Sequence, residues 1–295
     1  MTRTTNGPVA VLGLGAMGTG LATRLLDQGV QVRVWNRTAE RVEPLVKAGA
    51  FAAARPADAA AGTSAVICSV ADGEALGTVL RGPDGVLAGG PYPGVLICAS
   101  TVAPDEVVQI AGDVPSVLDV GMLGNRDHAR DGELRLFVGG EERVFNAGRP
   151  LLEMLGKEVV HLGALGSGMR MKLLLNLLMG IEVQALAEAS ELATASGIDR
   201  QLALKTIAGS GFASPVMAFK SKRLASGRFD KPDFRLRLMA KDLMLASKQA
   251  AAVGLSLPLA TAAAETHVRA AGQGLGDEDC AAVVRALTPK PGSDT

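Results

Sequence analysis

The feature that most constrains the fold is a change of rhythm near residue 165. Before it, short Val/Ile-rich runs alternate with helical patterns, and after it the strand signals stop. The runs "PVAVLGLG", "VQVRVWN", "SAVICSV", "GVLICAST", "PSVLDVG", "LRLFVGG" and "EVVHLG" read as strands. Between the early ones, "AMGTGLATRLLDQG" and "TAERVEPLVKAGA" carry apolar residues at helical spacing. Strand alternating with helix predicts a parallel sheet covered on both faces. Beyond Gly168 the chain is Ala/Leu-rich and helical, broken by "SGID", "GSGFASP", "GRFDKPDF" and "GLSLP". The expectation is an α/β domain over 1–165, an all-α domain over 166–290 and a disordered tail over 291–295.

The first strand and helix enclose Gly13, Gly15 and Gly18 in G-x-G-x-x-G spacing. The first glycine makes a tight turn, the second lets a pyrophosphate approach, and the third lets helix and strand pack. Phosphates would then meet a helix N-terminus, where free N–H groups favour anions. Leu14, Ala16 and Met17 fill the rest of this turn. The second strand ends in "VWNRT". An NAD enzyme usually offers a carboxylate there for the ribose hydroxyls. Asn36, Arg37 and Thr38 stand there instead, and a cation beside a missing carboxylate suits a 2′-phosphate. Arg41 adds to this, so NADP is expected, with NAD as the alternative. The bland reading of Arg37 is a solvated arginine after a loop.

Composition narrows the partners. Thirty basic residues balance thirty acidic ones in 295, so neither a nucleic-acid footprint nor a polybasic membrane patch is expected. No run is read as long enough and neutral enough to span a bilayer, and the opening apolar stretch is too short for a signal peptide. Cys68, Cys98 and Cys280 lack metal spacing, and the first two end strand-like runs as small buried hydrophobes would. With three histidines and neither HExxH nor CxxC, no metal site is expected. These features point to a cytoplasmic protein.

A polar pair interrupts the oiliest segment, "GSGMRMKLLLNLLMG". Lys172 and Asn176, four apart, share one helix face amid leucines. Burying an ammonium unpaired is costly, so the pair is a functional candidate unless the lysine snorkels to solvent.

With these residues in hand, the chain resembles the β-hydroxyacid dehydrogenase family, which includes 3-hydroxyisobutyrate and 6-phosphogluconate dehydrogenases and has imine reductases as relatives. "GLGAMGTGLA" is similar to the family's opening, "ASTVAP" to its S-T-x-x-P, and "DVGMLGNRDHARDGELRLFVGG" to its D-A-P-V-S-G-G…V-G-G. "GSGMRMKLLLN" and "MAKDLMLA" match its lysine and late K-D-L motifs. The resemblance implies hydride transfer with Lys172 as general acid/base, Asn176 as its partner at the substrate, and Lys241 and Phe234 closing over cofactor or substrate. Lys241 has a plainer reading as a charge pair with Asp242. Val70 and Thr101 would touch the cofactor, and Ser100, Leu123, Gly124 and Asn125 the substrate. A homodimer built from the helical halves, with the active site in the cleft between the two domains, is also implied.

Two departures matter. Leu123 stands where the family has serine and Asn125 where it has glycine, while Leu175 replaces the first asparagine of an N-N pair. The substrate-reading set is thus more apolar, and the alternatives of an imine reductase or a silent NADP-binding scaffold stay open.

Overall fold

A computed structural model describes residues 7–112 and 114–287. The expected tail at 291–295 lies outside them. The described residues fall into two compact units that divide between Lys172 and Leu173. The division falls inside one continuous helix.

The first unit is built on eight strands: β1 (Val9–Leu12), β2 (Val32–Trp35), β3 (Phe51–Ala52), β4 (Ala65–Cys68), β5 (Val95–Cys98), β6 (Val117–Leu123), β7 (Leu134–Gly139) and β8 (Gly156–His161). They form one sheet in the order β3-β2-β1-β4-β5-β6-β7-β8. Strands β1, β4 and β5 are short, apolar on both faces and almost wholly buried, as strands sandwiched between helix layers must be. The helices are α1 (Ala16–Asp27), α2 (Glu43–Lys47), α3 (Pro56–Ala60), α4 (Gly73–Arg81), α5 (Pro104–Ala111), α6 (Arg126–Asp131) and α7 (Glu142–Leu155). Two cores flank the sheet. One joins Leu21, Leu25, Leu118 and Leu151, and the other joins Leu76, Leu80, Leu96 and Val107.

The fold expectation holds, with two corrections. The sheet is not wholly parallel, because β7 runs antiparallel to β6. The ten residues between them hold only the short α6, too little for the crossover that a parallel partner needs. The sheet also has an edge strand, β3, that the sequence pattern does not predict. It has two residues, both exposed at the sheet edge, in an alanine-rich stretch with no alternation to read.

Helix α8 (Ser167–Ala195) begins in this unit and continues into the second. There α9 (Arg200–Ala208), α10 (Pro215–Ser226), α11 (Leu236–Ala252), α12 (Pro258–Ala270) and a 3-10 turn at Cys280–Ala286 complete an all-helical unit. Asp199 and Ser214 cap α9 and α10 through Leu202 and Met217 N–H groups, which explains the "SGID" and "GSGFASP" breaks. Val183, Leu186, Leu204, Met239, Leu243 and Val283 fill its core. A buried ion pair sits there too. Lys220 Nζ lies 2.8 Å from both oxygens of Asp279. Burial pushes the Asp279 carboxyl up, but Lys220 and the Ala281 and Asp233 N–H groups outweigh it and hold the pKa below its ordinary value.

Helix α8 is also long and apolar enough, by length and composition, to cross a membrane. That overturns the expectation that no run qualifies. Within the helical unit, however, its Val183, Leu186 and Ala187 are core residues.

Candidate active site

The carboxyl ends of β1, β2, β4, β5 and β6 carry the candidate residues of the sheet unit other than Lys172, which lies on α8. The strand order reverses between β1 and β4, the usual place for a ligand in an open α/β sheet. Gly13 has φ +92°, which a side chain rarely tolerates, and a Cβ there would strike the Ser69 carbonyl. A Cβ on Gly18 would collide with the Gly13 carbonyl, whereas one on Gly15 meets nothing within 4 Å. The turn is therefore tight on the protein side and open on the other. Helix α1 begins with no capping side chain and no acid in its first turn. Its free N–H groups fit a phosphate, so the residues present suit a dinucleotide. Ala16 is exposed there, while Met17 packs partly against the core beside buried Leu14.

Asn36 is spoken for. Its Oδ1 accepts the Leu14 N–H at 2.8 Å and its Nδ2 donates to the Thr38 carbonyl at 2.9 Å. It braces the glycine turn. Arg37 and Thr38 are exposed at the end of β2. Arg41 is exposed too, with Nη1 3.4 Å from the Leu14 carbonyl.

Ser100 is 2% exposed, and its Oγ accepts the Val70 N–H at 2.8 Å. The hydroxyl thus ties the loop after β4 to the loop after β5 and sets the place of Val70. Thr101 follows, half-buried. Cys68 and Cys98 are buried neighbours in register on β4 and β5. Burial pushes the Cys98 thiol up to about 12 and that of Cys68 well above its ordinary value. Both thiols stay protonated and act as small hydrophobes, as expected.

Strand β6 is where the lysine meets the sheet. Alternation puts Leu118, Val120 and Met122 into one core and leaves Asp119, Gly121 and Leu123 on the opposite face. The first turn of α8 lies on that face. A Cβ on Gly121 would sit 2.5 Å from the Gly168 carbonyl and 2.9 Å from Lys172 Cβ. Only a glycine lets the Gly168 carbonyl and the lysine's Cβ come so close. Lys172 is half-buried, and Leu123 is the next residue along its face of the strand. Gly124, with φ +142°, packs against Leu134 and His128. Asn125 caps α6, its Oδ1 accepting N–H groups of Asp127 and His128 at 3.0 Å. Its oxygen is engaged in capping.

One turn beyond Lys172, Asn176 is 1% exposed and donates Nδ2 to Asp242 Oδ2 at 2.5 Å. From the sequence, Asp242 is expected only as a charge partner for Lys241. That pair exists as well, at 3.1 Å. Phe234 packs partly into the helical core at the start of α11. A lone acid inside an apolar helix stretch was the signal that could have flagged Asp242.

These features define a dinucleotide-binding α/β unit followed by an all-helical one. Residues 8–163 match the NAD binding domain of 6-phosphogluconate dehydrogenase. Residues 166–287 match the NAD-binding domain of NADP-dependent 3-hydroxyisobutyrate dehydrogenase. Among curated relatives, cytokine-like nuclear factor N-PAC of Xenopus tropicalis is 33% identical over 96% of this chain and 53% of its own length. The chain spans about half the length of the N-PAC relatives it matches. The chloroplastic glyoxylate/succinic semialdehyde reductase 2 of Arabidopsis thaliana is 30% identical over 97% of this chain and 81% of its own. A 3-hydroxyisobutyrate dehydrogenase structure from Salmonella typhimurium superposes with TM-score 0.87 at 26% identity, covering 96% of this chain and all of that one. The chain belongs to the NAD(P)-binding β-hydroxyacid dehydrogenase family.

Proposed function

We propose that the protein is an NADP-dependent oxidoreductase that interconverts a β-hydroxy acid or related alcohol with its semialdehyde or ketone. The observation that carries this reading is the approach of Lys172 to Gly121 on β6, in the unit that holds the dinucleotide turn. When bound, the nicotinamide supplies or accepts the hydride. Everything else falls to this chain. Lys172 gives a proton to the carbonyl oxygen in reduction and takes it from the hydroxyl in oxidation. Asn176, with Nδ2 held by Asp242, keeps Oδ1 for a donor at the substrate. Lys241 and Phe234 close over cofactor or substrate in this reading. Gly13 to Gly18 and the α1 N-terminus hold the pyrophosphate, and Arg37 pairs with the 2′-phosphate.

Leu123 offers no hydroxyl to a substrate carboxylate, so the preferred carbonyl compound has an apolar body. Turnover with NADPH of a panel of hydroxy acids, semialdehydes and cyclic imines tests the whole reading. Reduction of imines alone would make the protein an imine reductase, and NADPH binding without turnover would make it a silent scaffold.

Lys172→Met keeps the stem's packing and removes the charge. Turnover should fall about a hundred- to ten-thousandfold, the usual share of general acid/base catalysis, with NADPH affinity unchanged. A fully active methionine variant would falsify the assignment.

A further inference from the structure

The start of α8 is held by a group for which the proposed chemistry has no use. Gly166 accepts the first intrahelical bond, from Arg170 N–H, and so stands at the N-cap. Having no side chain, it can cap nothing. Asp119, 47 residues upstream on β6, supplies what is missing. Its Oδ1 accepts the Gly166 N–H at 2.6 Å and its Oδ2 the Met169 N–H at 2.7 Å. In a capping box two side chains share these tasks, one bonding the N–H at the third helical position and the other the N–H of the cap itself. Here one carboxylate does both.

We propose that Asp119 is the positioning residue for Lys172: its buried carboxylate pins the first turn of α8 to strand β6 and thereby sets where the lysine stands. This rests on the reading of Lys172 as the proton carrier. An ordinary cap would stabilise the helix end without locating it. A cap borne by the strand does both, because the helix cannot slide along the sheet without breaking the bonds.

The surroundings are cleared for this contact. A Cβ on Gly139 would strike Asp119 Oδ1, and one on Gly168 would strike the Phe137 carbonyl and crowd that of Asp119. With Gly121, three glycines open the space into which the helix start and the carboxylate fit. Asp119 is 0% exposed. Burial pushes its pKa above the ordinary value, against the Met169 and Gly166 N–H groups and the charge of Arg170. Both oxygens nonetheless face N–H donors, and a protonated acid would turn an O–H onto one of them. The geometry is that of the anion, which also suits a helix N-terminus. A 1 Å displacement of a catalytic group can cost about a hundredfold in rate, so the lock bears on turnover.

The test uses the full chain. In the parent, hydrogen exchange at the Gly166 and Met169 amides should be strongly protected, although first-turn amides normally exchange freely. In Asp119→Asn, exchange over 166–172 should quicken at least about tenfold while 183–195 keeps its rates. The kcat should fall about ten- to a hundredfold, with the NADPH dissociation constant within about twofold. Free exchange of those amides in the parent overturns the lock, even if the asparagine variant fails to fold. Faster exchange with unchanged kcat overturns the positioning role and leaves the lysine assignment to Lys172→Met. An active Lys172→Met enzyme removes the lysine assignment and, with it, the positioning role, while the exchange result stands as evidence for the cap alone.

Discussion

The two units differ in how completely they satisfy themselves. Among the described residues, fifteen large hydrophobic side chains are exposed. Three (Val46, Phe51 and Val108) belong to the sheet unit and twelve to the helical unit. Among the described residues, the helical unit also holds the buried side-chain polar atoms that meet neither a hydrogen-bond nor an ion-pair partner, on Gln184, Ser221, Ser247 and His267. A sheet wrapped on both faces buries its apolar surface within one chain. A bundle of helices around a 29-residue rod does not. On α8, Leu174, Leu178 and Leu192 face outward while Leu173, Val183 and Leu186 face the core. A helix that is apolar all round is built to be covered. The difference teaches that the sheet unit covers most of its own apolar surface, whereas the helical unit leaves much of its own uncovered. A second copy of the chain, bound through the helical surface, is the occupant we propose.

Three measurements would break or sharpen this contrast. The largest effect is expected on assembly. Leu178→Arg with Leu192→Arg should raise the dimer dissociation constant about a hundredfold or more, since central apolar anchors often contribute about 2 kcal/mol or more each. Phe51→Arg, in the sheet unit, should leave it unchanged. Light scattering reads both, and a dimer indifferent to the α8 pair, or a parent already monomeric, would break the comparison.

Next comes the cofactor. Arg37→Ala should lower kcat/KM roughly ten- to a hundredfold with NADPH and leave it intact with NADH, because a charge-assisted bond contributes on the order of 1.5–3 kcal/mol. Its midpoint of thermal unfolding should not move, since the side chain is solvated. Equal use of both cofactors by the parent would remove the role given to Arg37.

The smallest effect concerns His267, wholly buried in α12 with Nδ1 2.9 Å from the Ala263 carbonyl. Burial holds its pKa below the ordinary 6.5, despite that bond. Between the folded value and 6.5 the unfolded chain binds the proton more readily. Stability is therefore full above 6.5 and declines as pH falls through this window. His267→Phe should flatten that part of the decline in thermal scans between about pH 7.5 and 5.5. An unchanged slope would show that the imidazole is not its source.

Much of the site was legible because its signals are local. Gly13, Gly15 and Gly18 declare a turn within six residues. Lys172 and Asn176 share a helix face by spacing alone. The roles of Ser100, Asn125 and Asn36 were less legible. Each is expected to touch a ligand, and each also has a side-chain oxygen engaged with a backbone N–H, in the case of Ser100 from a loop 30 residues away. Asp119 stood in plain view as the first letter of "DVGMLGN", but nothing nearby shows that it caps a helix 47 residues on.

What the sequence determined by itself is therefore what short-range stereochemistry dictates. Periodicity set the strands, the helices and the break near residue 165, and glycine spacing set the dinucleotide turn. Only the tertiary structure decided the reversal of β7, the edge strand β3, the bond between Asn176 and Asp242 and the hold of Asp119 on α8. The reason is physical. Backbone conformation answers to neighbours a few residues away, while a buried polar group must find its partner wherever packing brings one, and chain distance leaves no mark of that in the local pattern.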